Sequence, residues 1–185
     1  MHKRSTAVMA FVLMIVLIGA SLLWGAYRGW STERKQVETS MGTLEDVLSA
    51  RREVGANILT VARRHLPAGD PLLLSVQEAL NGIAQTGSLC QRARANQTLQ
   101  EGMDGLLAEL RQLPSLTADE RDSMYVNQLL PQAMEQSAHL TEQAEYNLQA
   151  ERFNRDFNNS FSGRLARLLG VRPAEQFIPQ EGDAP

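Results

Sequence analysis

The sequence predicts an all-α protein: an antiparallel helical bundle of three to four long helices behind a single N-terminal transmembrane helix. Three observations predict it. Ala7 to Tyr27 carry no charged side chain. Beyond them Leu, Ala, Gln, Glu and Arg dominate, which favour helix, and β-branched alternation is absent. Apolar residues there recur at steps of three and four, the spacing of a bundle or coiled-coil seam.

The anchor comes first. At about 1.5 Å per residue, the run from Ala7 to Tyr27 makes a helix roughly 30 Å long, the thickness of a bilayer's hydrocarbon core. Trp24, Tyr27 and Trp30 at its end have the pattern of an interfacial aromatic belt. His2, Lys3 and Arg4 precede it, as in a signal sequence. A cleaved signal has an apolar core of only about 7–15 residues before a small-x-small site. The longer run is read as an uncleaved, single-pass anchor spanning residues 7–27, after a short polar N-terminus, residues 1–6. Lys3 and Arg4 on one side nearly balance Arg28, Arg34 and Lys35 on the other. The signal-like start places the following domain on the extracytoplasmic side.

The chain has 18 basic and 21 acidic residues and a net charge of −3. Removing Lys3 and Arg4 leaves 16 against 21, or −5, for the part beyond the anchor. No concentrated basic face is evident, so nucleic acid is not an expected partner. Cys90 is the one cysteine, which leaves no intrachain disulfide. Its neighbours Arg92 and Arg94 could activate a thiol, but no base is placed beside it. The length beyond the anchor suits one domain, residues 31–177, with a disordered tail over 178–185.

The elements follow in order. Ser31 reads as the N-cap of a first helix carrying Val37, Met41, Leu44, Leu48, Val54, Ile58 and Val61 inward, continuing from the anchor as a stalk and stopping near Leu66. Asp70 caps a second helix with Pro71 at its first position. It carries Leu73, Val76, Leu80 and Ile83 and fades near Gly87. A third runs through Leu99, Met103, Leu106, Leu110 and Leu113 to Pro114, weakened at Gly102 and Gly105. Thr117 and Glu120 form a capping-box pattern for a fourth, which Pro131 kinks or restarts. From there a long helix reaches about Phe161. A short amphipathic piece, Arg164 to Leu169, ends at Gly170 as its C′ residue.

The long last helix carries an identifying pattern. Tyr146-Asn147 recurs seven residues later as Phe153-Asn154, followed by Leu168-Leu169-Gly170, Pro173-Ala174-Glu175 and Phe177. This resembles the C-terminal signature of the LemA family: two Tyr-Asn pairs seven apart, then Leu-Gly-Phe and Pro-Ala-x-x-Phe elements. Leu113-Pro114-Ser115-Leu116 is similar to the family's Tyr-Pro-x-Leu, and Arg51 to Leu59 to its Arg-His-Asp-Leu-Ile-Pro-Asn-Leu-Val, with Ala56 in place of Pro and Asn57 retained. Phe153 lacks one hydroxyl of the family pattern, Ser160-Phe161 replaces Phe-Pro, and Gln136 and Gln143 replace its Glu and Arg. The resemblance is to a divergent member. It implies a membrane-anchored helical bundle at a bacterial cell (inner) membrane, and no biochemical activity.

Tyr146, Ala150, Phe153 and Phe157 share one helix face and read as a core stripe. Extended backwards, that seam passes through Gln143, His139 and Gln136; the first helix's seam passes through Arg51. These polar positions are read as a layer that fixes register, with Arg51 also able to snorkel, ahead of a layer that receives a ligand. Asn147 and Asn154, poor helix formers, are expected to hydrogen-bond a neighbouring loop or helix. His139 with Glu135 and Glu142 on one helix supplies too few ligands for a metal, and His65 and His2 read as isolated. No nucleophile elbow, phosphate loop or paired-acid motif is present. No catalytic, cofactor or metal site is therefore expected. Arg164, Arg167 and Arg172 interleave with Leu165, Leu168 and Leu169; this short helix is read as a bundle cap ahead of a membrane-surface helix.

The function expected is a non-enzymatic interaction or scaffold module at the membrane, with a protein partner or self-association. The alternatives are a ligand-sensing bundle that signals through its anchor and, third, a metal-dependent enzyme.

Overall fold

The computed structural model describes residues 2–85, 87–142 and 145–179, with side chains at 9–85, 87–141 and 145–179. Gln143 and the tail positions 180–185 lie outside the described residues. Among those described, every regular element is helical: α1 (His2–His65), α2 (Pro71–Ala84), α3 (Leu89–Leu110), α4 (Pro114–Thr117), α5 (Glu120–Met124), a π-helical turn (Tyr125–Leu129), α6 (Leu130–Glu142), α7 (Glu145–Asn159) and α8 (Phe161–Leu168). They form two compact units. One comprises the described residues of Met1–Ser40 and Leu148–Ala174; the other comprises those of Met41–Asn147 and Glu175–Pro185.

In the first unit, α1 is long and apolar enough to cross a membrane. Its apolar side chains are bare on every face: Phe11 is 58% and Leu17 59% exposed. Ser31 is not a cap. The helix runs through it without a break, because Tyr27 to Ser31 contain no proline and Gly29 costs only about 1 kcal/mol. Trp30 also departs from the belt pattern. Its indole packs edge-on against Phe153 and Phe157, with centroids 5.7 and 5.3 Å away, and those two rings stack at 5.5 Å. Trp24 and Tyr27 remain exposed. Ser160 caps α8, its hydroxyl accepting the Gly163 N–H at 2.9 Å. At the other end Gly170, with φ +92°, closes a Schellman motif. The Val171 N–H reaches Ala166 O and the Gly170 N–H reaches Arg167 O, both at 3.1 Å.

In the second unit, α1 buries Leu44, Leu48, Ile58, Leu59, Val61 and Ala62. Asp70 caps α2 as the sequence predicts, accepting the Leu72 and Leu73 N–H groups. A capping box of Ser88 and Gln91 starts α3. Gly102 permits close packing between α2 and α3: a Cβ there would stand 2.6 Å from Val76. Gly55 of α1 likewise meets Leu80 and Leu99.

After α3 the sequence expectation needs correcting. Thr117 closes the short α4, and Asp119 caps α5 instead, accepting the Asp122 N–H at 3.0 Å. The π-helical turn lies just before Pro131. Leu130 donates to Tyr125 O, one residue further back than an α-helix allows. That slip accommodates a proline, which lacks its own N–H and crowds the preceding turn. Beyond Pro131 the chain is helical as α6 and α7, on either side of positions 143 and 144, which lie outside the described residues.

Candidate functional site

Arg51 lies in the middle of the second unit's apolar seam and is 1% exposed. Its guanidinium forks into neighbouring helices. Nε donates to Asn96 Oδ1 at 2.5 Å, Nη1 to Ser137 Oγ at 3.1 Å, and Nη2 to Gln100 Oε1. Gln100 passes the polarity outward, donating from Nε2 to Asp104 Oδ2 at 2.9 Å. Ser137 in turn donates to Met134 O at 2.9 Å. A buried guanidinium is tolerated only when its donors are met. Here α3 and α6 supply acceptors to a donor carried by α1, so the cluster fixes the register of the three helices.

The sequence placed the wrong α6 residues in this layer. Gln136 and His139 are exposed, lining an open groove with Gln132 and Glu135. The buried series is Leu130, Met134, Ser137 and Thr141. Ser137 and Thr141 stand next to the Gln136 and His139 side of α6 that the sequence selected, one and two positions along the helix. Asn57 is also exposed, on α1.

The two aromatic-Asn pairs have a shared task. In the second unit, Asn147 grips one backbone position completely: Nδ2 donates to Phe177 O and Oδ1 accepts the Phe177 N–H, both at 2.8 Å. Tyr146 adds its hydroxyl, donating to Glu175 O at 2.6 Å. In the first unit, Asn154 does the same to Ala174, at 2.8 and 2.7 Å. Phe153 has no hydroxyl to add and is buried against Trp30 and Phe157.

A third cluster joins the end of α1 to α5, and it corrects the reading of His65 as isolated. His65 Nε2 is 3.0 Å from Asp122 Oδ2, and Nδ1 is 3.2 Å from Ser115 Oγ. Asp122 is 0% exposed. Arg64 Nη2 stands 3.0 Å from its Oδ1, an ion pair outside the geometry of a directed hydrogen bond. Hydroxyl, imidazole and carboxylate in sequence are the groups of a nucleophilic relay. Here Arg64 already neutralises the carboxylate that such a relay uses to stabilise imidazolium. Asp119, also close enough to share a metal with His65 and Asp122, has one oxygen committed to capping α5. Arg64 supplies the countercharge that a metal would bring. The cluster ties the end of α1 to Ser115 of α4 and Asp122 of α5. No sequence motif marked it, since its members are 57 residues apart.

Cys90 is half-buried, and its backbone N–H reaches Glu175 Oε1 at 3.5 Å. No family model matches the chain, and no curated protein and no solved structure shows significant similarity to it.

Proposed function

We propose that this chain is a membrane-anchored, non-enzymatic interaction or scaffold module of the LemA type. In this reading residues 7–27 span a bacterial cell membrane once. Residues 31–177 form an antiparallel bundle whose long members are the rest of α1, α3 and α6–α7, on the extracytoplasmic side, and the bundle holds a protein partner or a second copy. The observation that carries it is the bare apolar surface all round α1 from Met9 to Leu22. A helix apolar on every face needs lipid or protein around it, and none of the described residues covers this one. The non-enzymatic part is supported by how the polar residues are used. Asn147, Asn154 and Tyr146 hold the chain's own backbone, and Arg51 holds register.

Two experiments test this. Alkaline carbonate should leave the full chain in the membrane pellet and release a variant lacking residues 1–30. Release of the full chain overturns the anchor. Cross-linking in intact membranes, with residues 1–30 alone as control, should recover a partner or a second copy only when residues 31–185 are present. Recovery of neither overturns the scaffold role.

A further inference from the structure

The sequence reading took α8 as a cap, yet its two faces are unlike. One face is made of Gly163 and Ala166 and is buried within the first unit. Gly163 fits so closely that an added Cβ would stand 1.9 Å from Phe157 O. On the far side lie Phe161, Leu165 and Leu168, at helical steps of four and three. Phe161 is 73% and Leu168 80% exposed. Two large apolar side chains left this bare on one short helix need an occupant.

Their position says which. Ser162 accepts a hydrogen bond from Trp30 Nε1 at 3.1 Å, which fixes α8 at the level of Trp30. Phe161 and Leu165 line an open groove with Leu22, Gly25 and Ala26, so the stripe continues the lipid-facing surface of α1. Trp30 is three residues beyond Tyr27, about 4.5 Å along the helix. The headgroup zone of one leaflet is about 5–7.5 Å deep. The helix therefore sits within that zone if residues 7–27 fill the hydrocarbon core.

Charge agrees. In a chain of net charge −3, residues 157–174 contain Arg164, Arg167 and Arg172 and no acidic residue. Arg164 and Arg172 are exposed, while Arg167 lies over the Phe157 ring at 5.4 Å. A basic rim beside an apolar stripe is the pattern of a helix lying in a membrane surface. An eight-residue helix would bind lipid poorly alone, but α1 tethers this one, so its effective concentration at the surface is already high.

We propose that α8 lies in the headgroup–acyl boundary of the bilayer that holds α1, with Phe161, Leu165 and Leu168 in lipid and Arg164 and Arg172 on anionic headgroups. This rests on the spanning reading of residues 7–27. The test uses the full chain carrying Cys90→Ser, with a single spin label at Leu168→Cys, Leu17→Cys or Glu53→Cys, in phosphatidylcholine vesicles with and without phosphatidylglycerol. With phosphatidylglycerol, the ratio of oxygen to aqueous-nickel accessibility at position 168 should resemble that at 17 and exceed that at 53 several-fold. Without it, the ratio at 168 should fall while that at 17 holds. Position 168 resembling 53 while 17 stays in lipid overturns the docking of α8 alone. Aqueous values at all three overturn the anchor and this proposal together. A ratio at 168 indifferent to phosphatidylglycerol overturns the role of the arginines.

Discussion

Asn154 satisfies both backbone groups of Ala174, donating to its carbonyl at 2.8 Å and accepting its N–H at 2.7 Å. A side chain thus does for the C-terminal segment what a neighbouring strand does in a sheet. Asn154→Ala removes both bonds at once and leaves a half-buried backbone position unmet. It should cost about 1–3 kcal/mol. It should also raise amide exchange at Ala174 more than in α3. Asn154→Asp keeps the acceptor but sets a carboxylate against the Ala174 carbonyl, so it should be no milder. An Ala174 amide still protected in the Asn154→Ala protein would show that the clamp does not hold the segment.

Phe153 is the larger packing anchor of the same helix. It stacks on Phe157 and receives the edge of Trp30. Phe153→Ala should destabilise the chain by about 3–5 kcal/mol, because the rigid rings around it cannot collapse into the space. Urea denaturation of the detergent-solubilised full chain reads this directly. An unchanged midpoint would remove Phe153 from the core.

Arg51→Ala should be among the most damaging polar substitutions, at about 3–5 kcal/mol. It opens a void where α1, α3 and α6 meet and leaves the Asn96, Gln100 and Ser137 oxygens without this donor. Arg51→Met fills the stem's space and should cost less, since Asn96 and Gln100 are half-buried and within reach of water. Equal losses for the two variants would assign the effect to hydrogen bonding alone.

Which of these relationships could be read from sequence depended on whether a local pattern carried them. The stripe Tyr146, Ala150, Phe153, Phe157 is one helix face, and all four are buried. Asp70-Pro71 and Gly170 are local signals, and they start and end helices as expected. The partners of Arg51 were not legible in that way. Asn96 and Gln100 sit four apart on α3 and look like solvated positions until α1 faces them. Ser137 lies one position from Gln136, the residue that the seam extended back from Tyr146 selected. The apolar series from Leu130 through Met134 would have found it if counted forwards from the proline. Trp30 matched a membrane-belt pattern, whereas Phe153 and Phe157, far away in sequence, give it a packing role.

Acid should weaken one contact of the second unit in a defined direction. Arg92 donates to both Glu45 oxygens, at 2.5 and 2.7 Å. That hydrogen bonding, against a smaller opposing effect of burial, holds the Glu45 carboxyl below its ordinary value of 4.5. A lowered carboxylate stabilises the fold above its unfolded value, and the contribution is lost as pH falls through the folded one. Arg92 is shifted up by the same bond, so its share is lost only in strong alkali. The Glu45 side chain is nearly half exposed, so solvent and salt reduce the contribution to about 1 kcal/mol or less. Melting curves of the parent and of Glu45→Gln should differ slightly at neutral pH and converge in acid. A gap that widened below pH 4.5 would reverse the assignment.

Two Gly→Ala substitutions should act with opposite sign. Gly42 is exposed on α1 with open space around its Cβ position. Alanine there removes backbone freedom from the unfolded chain and should stabilise by about 0.4–1 kcal/mol. Gly163 is buried in α8, where the new methyl would stand 1.9 Å from Phe157 O and 2.8 Å from its carbonyl carbon. Those atoms are backbone at the end of α7, so no side-chain rotation relieves the clash, and the corner that Ser160 caps must open. The expected cost is about the 1–3 kcal/mol typical of overpacking. It should appear as a lower melting temperature and faster amide exchange across α8. Melting temperatures that rose alike in the Gly42→Ala and Gly163→Ala proteins would mean that α8 does not turn back onto the Phe157 carbonyl.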